Sequence, residues 1–241
     1  MQVTATKPFQ FKQFSIEQDR CTMKVGTDGV LLGAWSDVDG ASHILDVGTG
    51  TGVIAIMLAQ RTENATIHAV EIDEEAYTQA SQNMQNTAWA NRLQAFQVAI
   101  QDFAKNKDAA YDLIVSNPPF FSGGTFSSSQ DKTSVRHTVK LPHGDLLLAT
   151  RKLLKEKGKF CVILPYLEGL RFKELANSYN LYCTKMTEVK PRADKPVERL
   201  LLQFDRVVKP MEKDVLVIQQ GQANSWTAEY KQLTGEFYLK M

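Results

Sequence analysis

The chain has 241 residues, enough for one domain or a domain and a half, and its 43% hydrophobic content is ordinary for a globular protein with a sizeable core. Its 28 Lys and Arg against 27 Asp and Glu leave a formal charge of +1, so no global basic field exists and any nucleic acid must be held by local patches. The three cysteines, Cys21, Cys161 and Cys183, are odd in number, far apart and without a CxxC pair, which argues against a disulfide frame or a zinc site and for buried thiols in a reducing compartment. No apolar run of about 18 residues and no signal-peptide pattern occurs, so the expectation is a soluble, cytoplasmic protein without a membrane span.

In chain order, Phe9, Phe11 and Phe14 interleave with Lys7, Lys12, Arg20 and Lys24. Mixed aromatic and basic residues suit either a nucleic-acid strand or an arm folded onto the core. Residues 24–29 read as a turn, with Thr27 or Asp28 capping a short helix over 30–35. Residues 43–47 then give a strand, 48–52 a loop of the form Gly-Thr-Gly-Thr-Gly, and 53–59 a buried helix. Strand, glycine loop and helix make a nucleotide-binding arrangement, because glycines let backbone approach a ligand and the helix N-terminus is electropositive. The spacing of Gly48, Gly50 and Gly52 is G-x-G-x-G with Asp46 before it, not the dinucleotide G-x-G-x-x-G, and no Gly-Lys-Ser/Thr follows. That favours S-adenosylmethionine over NAD or a nucleoside triphosphate.

A second strand over 66–70 ends on Glu71, about 20 residues beyond the glycines, where a carboxylate takes ribose hydroxyls. Asp73 is placed to cap a helix over 74–86, and His68 reads as a strand residue rather than a ligand. After a turn at 89–92 and a third strand at 93–98, Asp102 has two readings: it accepts a hydrogen bond from the cofactor's adenine amine, or it caps the next short helix.

The β-branched run 111–115 predicts a buried strand, and Ser116-Asn117-Pro118-Pro119-Phe120 lies at its carboxyl end, the edge of an open α/β sheet where ligands bind. An exocyclic amine on a base is a poor nucleophile because its lone pair is delocalised. If the Asn117 side-chain oxygen and the Pro118 carbonyl each accept one N–H, that lone pair is aimed, and the two prolines preorganise both acceptors. Phe120 adds a flat face for a base, worth about 1–3 kcal/mol. The bland alternative is a turn that closes a strand.

Residues 122–129 are polar and glycine-rich, as a substrate-ordered lid or a tether would be, and Lys132, Arg136, His137 and Lys140 follow, suited to phosphates. His137 is not needed as a base, since the amine can shed its proton after transfer. A helix over 142–154, a strand over 159–164, a helix over 170–179 and an antiparallel pair, 181–189 with 199–204, come next. The connector 190–196 is basic and proline-stiffened, so Lys190 and Arg192 make either a second RNA contact or a solvated hairpin tip. Residues 215–218 and the amphipathic stretch 226–239 finish the chain, with no internal repeat and no separate target-recognition domain.

The glycine loop, Glu71 and Asn-Pro-Pro-Phe together resemble a class I S-adenosylmethionine-dependent methyltransferase of the amino-methylating subgroup. The stretches 11–14 and 19–35, and Glu236-Phe237-Tyr238-Leu239 near the end, resemble the bacterial tRNA1(Val) adenine N6-methyltransferase family, which modifies adenosine 37 beside the anticodon. The resemblance implies a single Rossmann-like α/β domain over 1–241: an arm, 1–35, and a core, 36–241, with a central, mostly parallel seven-stranded sheet, its last strand antiparallel and helices on both faces. It implies a cofactor set of Lys24, Thr27, Asp46, Gly48, Gly50, Gly52, Glu71, Asp102 and Asn117, catalysis by Asn117, Pro118 and Phe120, and substrate contacts from Pro119, Arg136, His137, Lys190 and Arg192. The implied partner is the tRNA anticodon loop; the lack of a recognition domain and of an extended basic surface argues against DNA, and the oligomeric state stays open with a monomer favoured. Ala99 departs from the family, whose members often carry an acidic residue after the third strand, which leaves the adenine contact to Asp102 or to backbone at Ile100. Two alternatives remain: a methyltransferase acting on a protein glutamine amide, which poses the same lone-pair problem, and a non-catalytic RNA-binding protein on the same scaffold.

Overall fold

The computed structural model describes residues 7–21, 23–119, 141–221 and 225–240. Strands β1 (Phe9–Gln10) and β2 (Ser15–Ile16) pair in a small antiparallel sheet and lead into α1 (Thr27–Trp35). Then β3 (His43–Val47), α2 (Val53–Arg61), β4 (Thr66–Glu71), α3 (Glu74–Gln85), a 3-10 turn at Ala90–Arg92, β5 (Leu93–Gln97), α4 (Ile100–Phe103) and β6 (Tyr111–Ser116) follow. The second half comprises α5 (His143–Leu153), β7 (Leu154–Pro165), α6 (Tyr166–Asn177), β8 (Tyr182–Arg192), β9 (Arg199–Asp205), β10 (Glu212–Gln219) and α7 (Ala228–Thr234).

The main sheet runs β10-β8-β9-β7-β6-β3-β4-β5, and only β9 is antiparallel to its neighbours. The seven strands β3 to β9 make the expected mostly parallel set, whose seventh, β9, runs antiparallel. The sheet has eight strands rather than seven, however, because β10 pairs in parallel with the outer edge of β8, from Glu212 opposite Lys185 to Gln219 opposite Arg192. An edge strand as long as β8 presents a row of unpaired amides and carbonyls, which β10 satisfies.

Apolar residues alternate between the two faces, as a sheet covered on both sides requires. Ile44, Leu113, Cys161 and Ile163 join one core with α1, α2, α3 and α7. Leu45, Ile114, Phe160 and Val162 join the other with α4, α5 and α6. No helix among the described residues is long and apolar enough to cross a membrane.

Several local expectations change. α1 starts at Thr27 with Gly26 as its N-cap and no side-chain cap, so neither Thr27 nor Asp28 fills that role. Asp28 instead accepts from Arg199 Nε at 2.8 Å. β7 begins at Leu154 and α6 at Tyr166, earlier than periodicity implies, and only Ala228–Thr234 of the last amphipathic stretch is helical. The arm folds onto the core: Phe11 and Phe14 are 3% and 7% exposed, their rings stack at 4.5 Å, and Phe11 bridges to Tyr238 near the other end of the chain. Asp73 caps α3 as expected, accepting from the Ala76 amide at 2.9 Å.

Candidate active site

From β3 the chain leads to β4 and β5 on one side, while β6 and β7 lie on the other, so the crevice at the carboxyl ends of β3 and β6 is the topological switch point. The glycine loop leaves β3 there and Asn117 leaves β6. Ser116 Oγ donates to the Val47 carbonyl at 2.9 Å, which holds the two strand ends in register.

Gly48, Gly50 and Gly52 adopt φ of 70°, 55° and 83°, which favours glycine at all three. Their surroundings differ. A Cβ on Gly48 or Gly50 would meet nothing within 4 Å, whereas one on Gly52 would lie 3.3 Å from Met84 Cε and 3.4 Å from Ala80. The first two glycines therefore leave an open cradle and the third lets α3 approach α2. The loop is braced from below: the Gly48 and Thr49 amides donate to the Val70 carbonyl at 2.9 and 3.2 Å, and the Gly50 amide to Glu71 Oε2 at 2.9 Å. Glu71 Oε1 also accepts from the Ile72 and Asp73 amides, at 2.8 and 3.0 Å.

Asp46 is 0% exposed, and its Oδ2 accepts from Thr49 Oγ1 at 2.6 Å. Burial pushes this carboxyl up to about 7, against the opposing pull of hydrogen bonds from Thr49 and the Ala55 backbone. Asn117 Oδ1 is buried with no hydrogen-bond partner among the described residues.

A cavity of about 920 Å³ opens along this edge, and Lys24, Thr27, Gly48, Gly50 and Asn117 all line it. Asp46, Gly52 and Glu71 are not among its lining residues, and the hydrogen bonds of Asp46 and Glu71 brace the loop. Asp102 lies elsewhere, on a cavity of about 460 Å³ with Phe96, Phe103 and Lys107, and pairs with Lys105 at 2.5 Å. It sits inside α4, whose N-cap is Ala99, and so does not cap that helix through its side chain.

Pro118 is buried and Pro119 half-buried after β6. Lys190 and Arg192 belong to β8 rather than to a hairpin tip, and Arg192 pairs with Asp194 at 3.3 Å. Val189 and Pro191 line the cavity, and strand alternation turns Lys190 and Arg192 the other way. Phe120, Arg136 and His137, with the glycine-rich stretch 122–129, lie outside the described residues.

Two residues of the site are absent from the sequence reading. Asn83, 1% exposed, donates through Nδ2 to the Glu17 and Thr51 carbonyls, both at 2.9 Å, and accepts from the Glu17 amide at 3.0 Å. Gln79, also 1% exposed, accepts from the Arg20 amide at 3.1 Å. Together they fasten the arm to α3 and the glycine loop. Their signal was present: Gln79 and Asn83 are polar residues at helical spacing among Ala76, Ala80 and Met84 on the buried face.

Residues 27–164 match the Methyltransferase small domain family. The chain is 45% identical to the tRNA1(Val) (adenine(37)-N6)-methyltransferase of Flavobacterium psychrophilum, over 97% of this chain and 100% of that protein. It is 45% identical to the protein of the same name from Trichodesmium erythraeum, over 96% and 98%. Among solved structures, a predicted O-methyltransferase from Agrobacterium tumefaciens superposes with a TM-score of 0.69 at 16% identity, covering 87% of this chain and 96% of that one. A geranyl diphosphate methyltransferase solved with GPP and sinefungin gives 0.53 at 12% identity, covering 73% and 75%. These superpositions establish the fold, and the near full-length identity establishes the lineage: the chain belongs to the tRNA1(Val) (adenine(37)-N6)-methyltransferase family, within the small-domain methyltransferases.

Proposed function

We propose that this protein transfers the methyl group of S-adenosylmethionine to N6 of adenosine 37 in the anticodon loop of tRNA1(Val). The observation that carries the chemistry is Asn117 Oδ1, a buried acceptor without a partner among the described residues, on the same cavity as the open cradle of Gly48 and Gly50. An unsatisfied buried acceptor costs about 1–3 kcal/mol, and on a ligand cavity a bound donor offsets that cost.

The residues present fit the cofactor. Gly48 and Gly50 leave room for a ligand against the backbone, Lys24 and Thr27 line the same cavity, and Glu71 holds the loop while retaining acceptor capacity for ribose hydroxyls. When bound, S-adenosylmethionine supplies an electrophilic methyl group on a positively charged sulfur.

The protein's contribution is positioning and exclusion of water. The target base is everted from the loop, where unstacking costs little. Its amine donates to Asn117 Oδ1 and to the Pro118 carbonyl, which draws the nitrogen lone pair out of the ring and aims it. The nitrogen gains the N–C bond as the S–C bond breaks, and the methylated, cationic amine sheds its proton to water once the product leaves the site, so no side-chain base is required. Phe120 is the candidate stacking face. The test is methyl transfer from labelled S-adenosylmethionine to total tRNA from cells lacking this protein, followed by nucleoside mass spectrometry. N6-methyladenosine at position 37 of tRNA1(Val) is expected; transfer to a protein amide, or none to tRNA with cofactor still bound, contradicts the proposal.

A further inference from the structure

The cavity does not end at Asn117. Its lining also takes in Glu198 and Arg199 at the start of β9, Val189 and Pro191 of β8, Ile218 and Gln219 of β10, and Trp226 and Lys240 beyond it. From β3 to β10 the sheet order gives five inter-strand steps, about 24 Å at ~4.8 Å each. The cofactor's reactive end must meet the substrate beside Asn117, so the half of the trough from β9 to β10 lies on the substrate side.

That half has a definite chemistry. Trp226 is half-buried and fixed in place: its backbone bridges to Gln219 and its ring lies 5.4 Å from the Tyr230 ring at 40°. It therefore offers a flat apolar face at little entropic cost. Arg199 and Asp28 pair at 2.8 Å, and of the other charged residues lining the cavity the exposed Lys240 supplies a cation and the exposed Glu198 an anion. A held aromatic face and a lysine on one cavity can bind single-stranded nucleic acid, through base stacking and a phosphate contact.

We infer that the wall formed by β10 and the segment 225–240 is a subsite for a nucleotide flanking the methylated base, with Trp226 stacking that neighbouring base and Lys240 contacting a phosphate. This rests on RNA being the substrate, as proposed above, and extends it to the strand and C-terminal segment that lie beyond the seven-stranded set. The occupant is an unpaired RNA nucleotide, since a base inside a duplex has no free face to stack.

The experiment measures affinity of the full-length protein for an unmodified anticodon stem-loop RNA, and separately for S-adenosylmethionine, in wild type, Trp226→Leu, Trp226→Phe and Lys240→Gln. Leu keeps apolar bulk against Tyr230 but removes the π face. Trp226→Leu is expected to weaken RNA binding about 5- to 100-fold with cofactor affinity unchanged, and Trp226→Phe to recover most of the loss. Lys240→Gln should lower the slope of log affinity against log salt by about 0.7. RNA affinity equal to wild type in Trp226→Leu, or a parallel loss of cofactor affinity, overturns the inference. Methyl transfer is scored in the same samples: wild type that binds RNA through Trp226 yet transfers nothing contradicts the proposed activity and not the subsite.

Discussion

The Asn83 side-chain amide donates to the carbonyl of Thr51 at 2.9 Å, so a buried residue of α3 holds the glycine loop directly. The same amide group grips both backbone atoms of Glu17, at 2.9 Å through its nitrogen and 3.0 Å through its oxygen. Arm, loop and helix are thereby one unit, and Lys24 and Thr27 reach the cavity from a chain anchored a few residues earlier. Asn83→Ala strips three hydrogen bonds and leaves three backbone groups unpaired, a cost of about 2–4 kcal/mol. A fall in melting temperature of about 5–15 °C should follow, together with weaker binding of S-adenosylmethionine. Calorimetric scans with and without cofactor check both; an unchanged melting temperature would show that the clamp carries no energy.

Gly40 and Gly50 separate backbone strain from cavity filling. Both have positive φ, 72° and 55°, and a Cβ on either meets nothing within 4 Å, but only Gly50 faces the cavity. Alanine at either position costs about 1 kcal/mol for the left-handed backbone. Gly50→Ala should in addition raise the dissociation constant for S-adenosylmethionine at least tenfold, while Gly40→Ala leaves it alone. Equal effects on the cofactor would remove the cradle from the account.

Asp46 gives the stability a pH dependence whose sign follows from its raised titration. Unfolded, the carboxyl titrates near 3.9; folded, near about 7, so between these values the native state holds the extra proton. Stability therefore falls as pH rises through that window and stays lower above it, by something on the order of a few kcal/mol. Asp46→Asn keeps an acceptor for Thr49 and cannot ionise. In urea denaturation it should match or trail the wild type near pH 4–5 and exceed it at pH 8. A difference that does not change between those pH values would mean that Asp46 stays charged throughout.

The legible parts of this chain were those governed by local rules. β3, β4 and β6 are short apolar runs because both sheet faces are covered, and the glycine loop and the Asp73 cap follow from backbone geometry that few residues satisfy. What stayed open depended on contacts far along the chain. Phe11 and Phe14 read as an arm packed on the core more readily than as a nucleic-acid contact, and Trp89 and Tyr238 against them decide it. Lys190 and Arg192 read as a hairpin tip because prolines and charges usually mark one, yet the strand runs through them and sets their direction away from the cavity. β10 was visible as an apolar run, but not its pairing with β8, since parallel register has no local signature. Asn83 left a mark as a polar residue on the apolar face of α3, but its partners are backbone atoms, which that pattern does not name.

The most direct test of the central claim is Asn117→Ala, assayed by single-turnover methyl transfer to tRNA alongside calorimetric titration of S-adenosylmethionine. Loss of a preorganised acceptor at the reacting amine predicts a drop in transfer of about 100-fold or more. The cofactor, held mainly by the glycine loop and its braces, should bind nearly as tightly as to the wild type. Transfer at the wild-type rate, or a loss of cofactor binding that accounts for the loss of transfer, would contradict the role of Asn117 in aiming the amine.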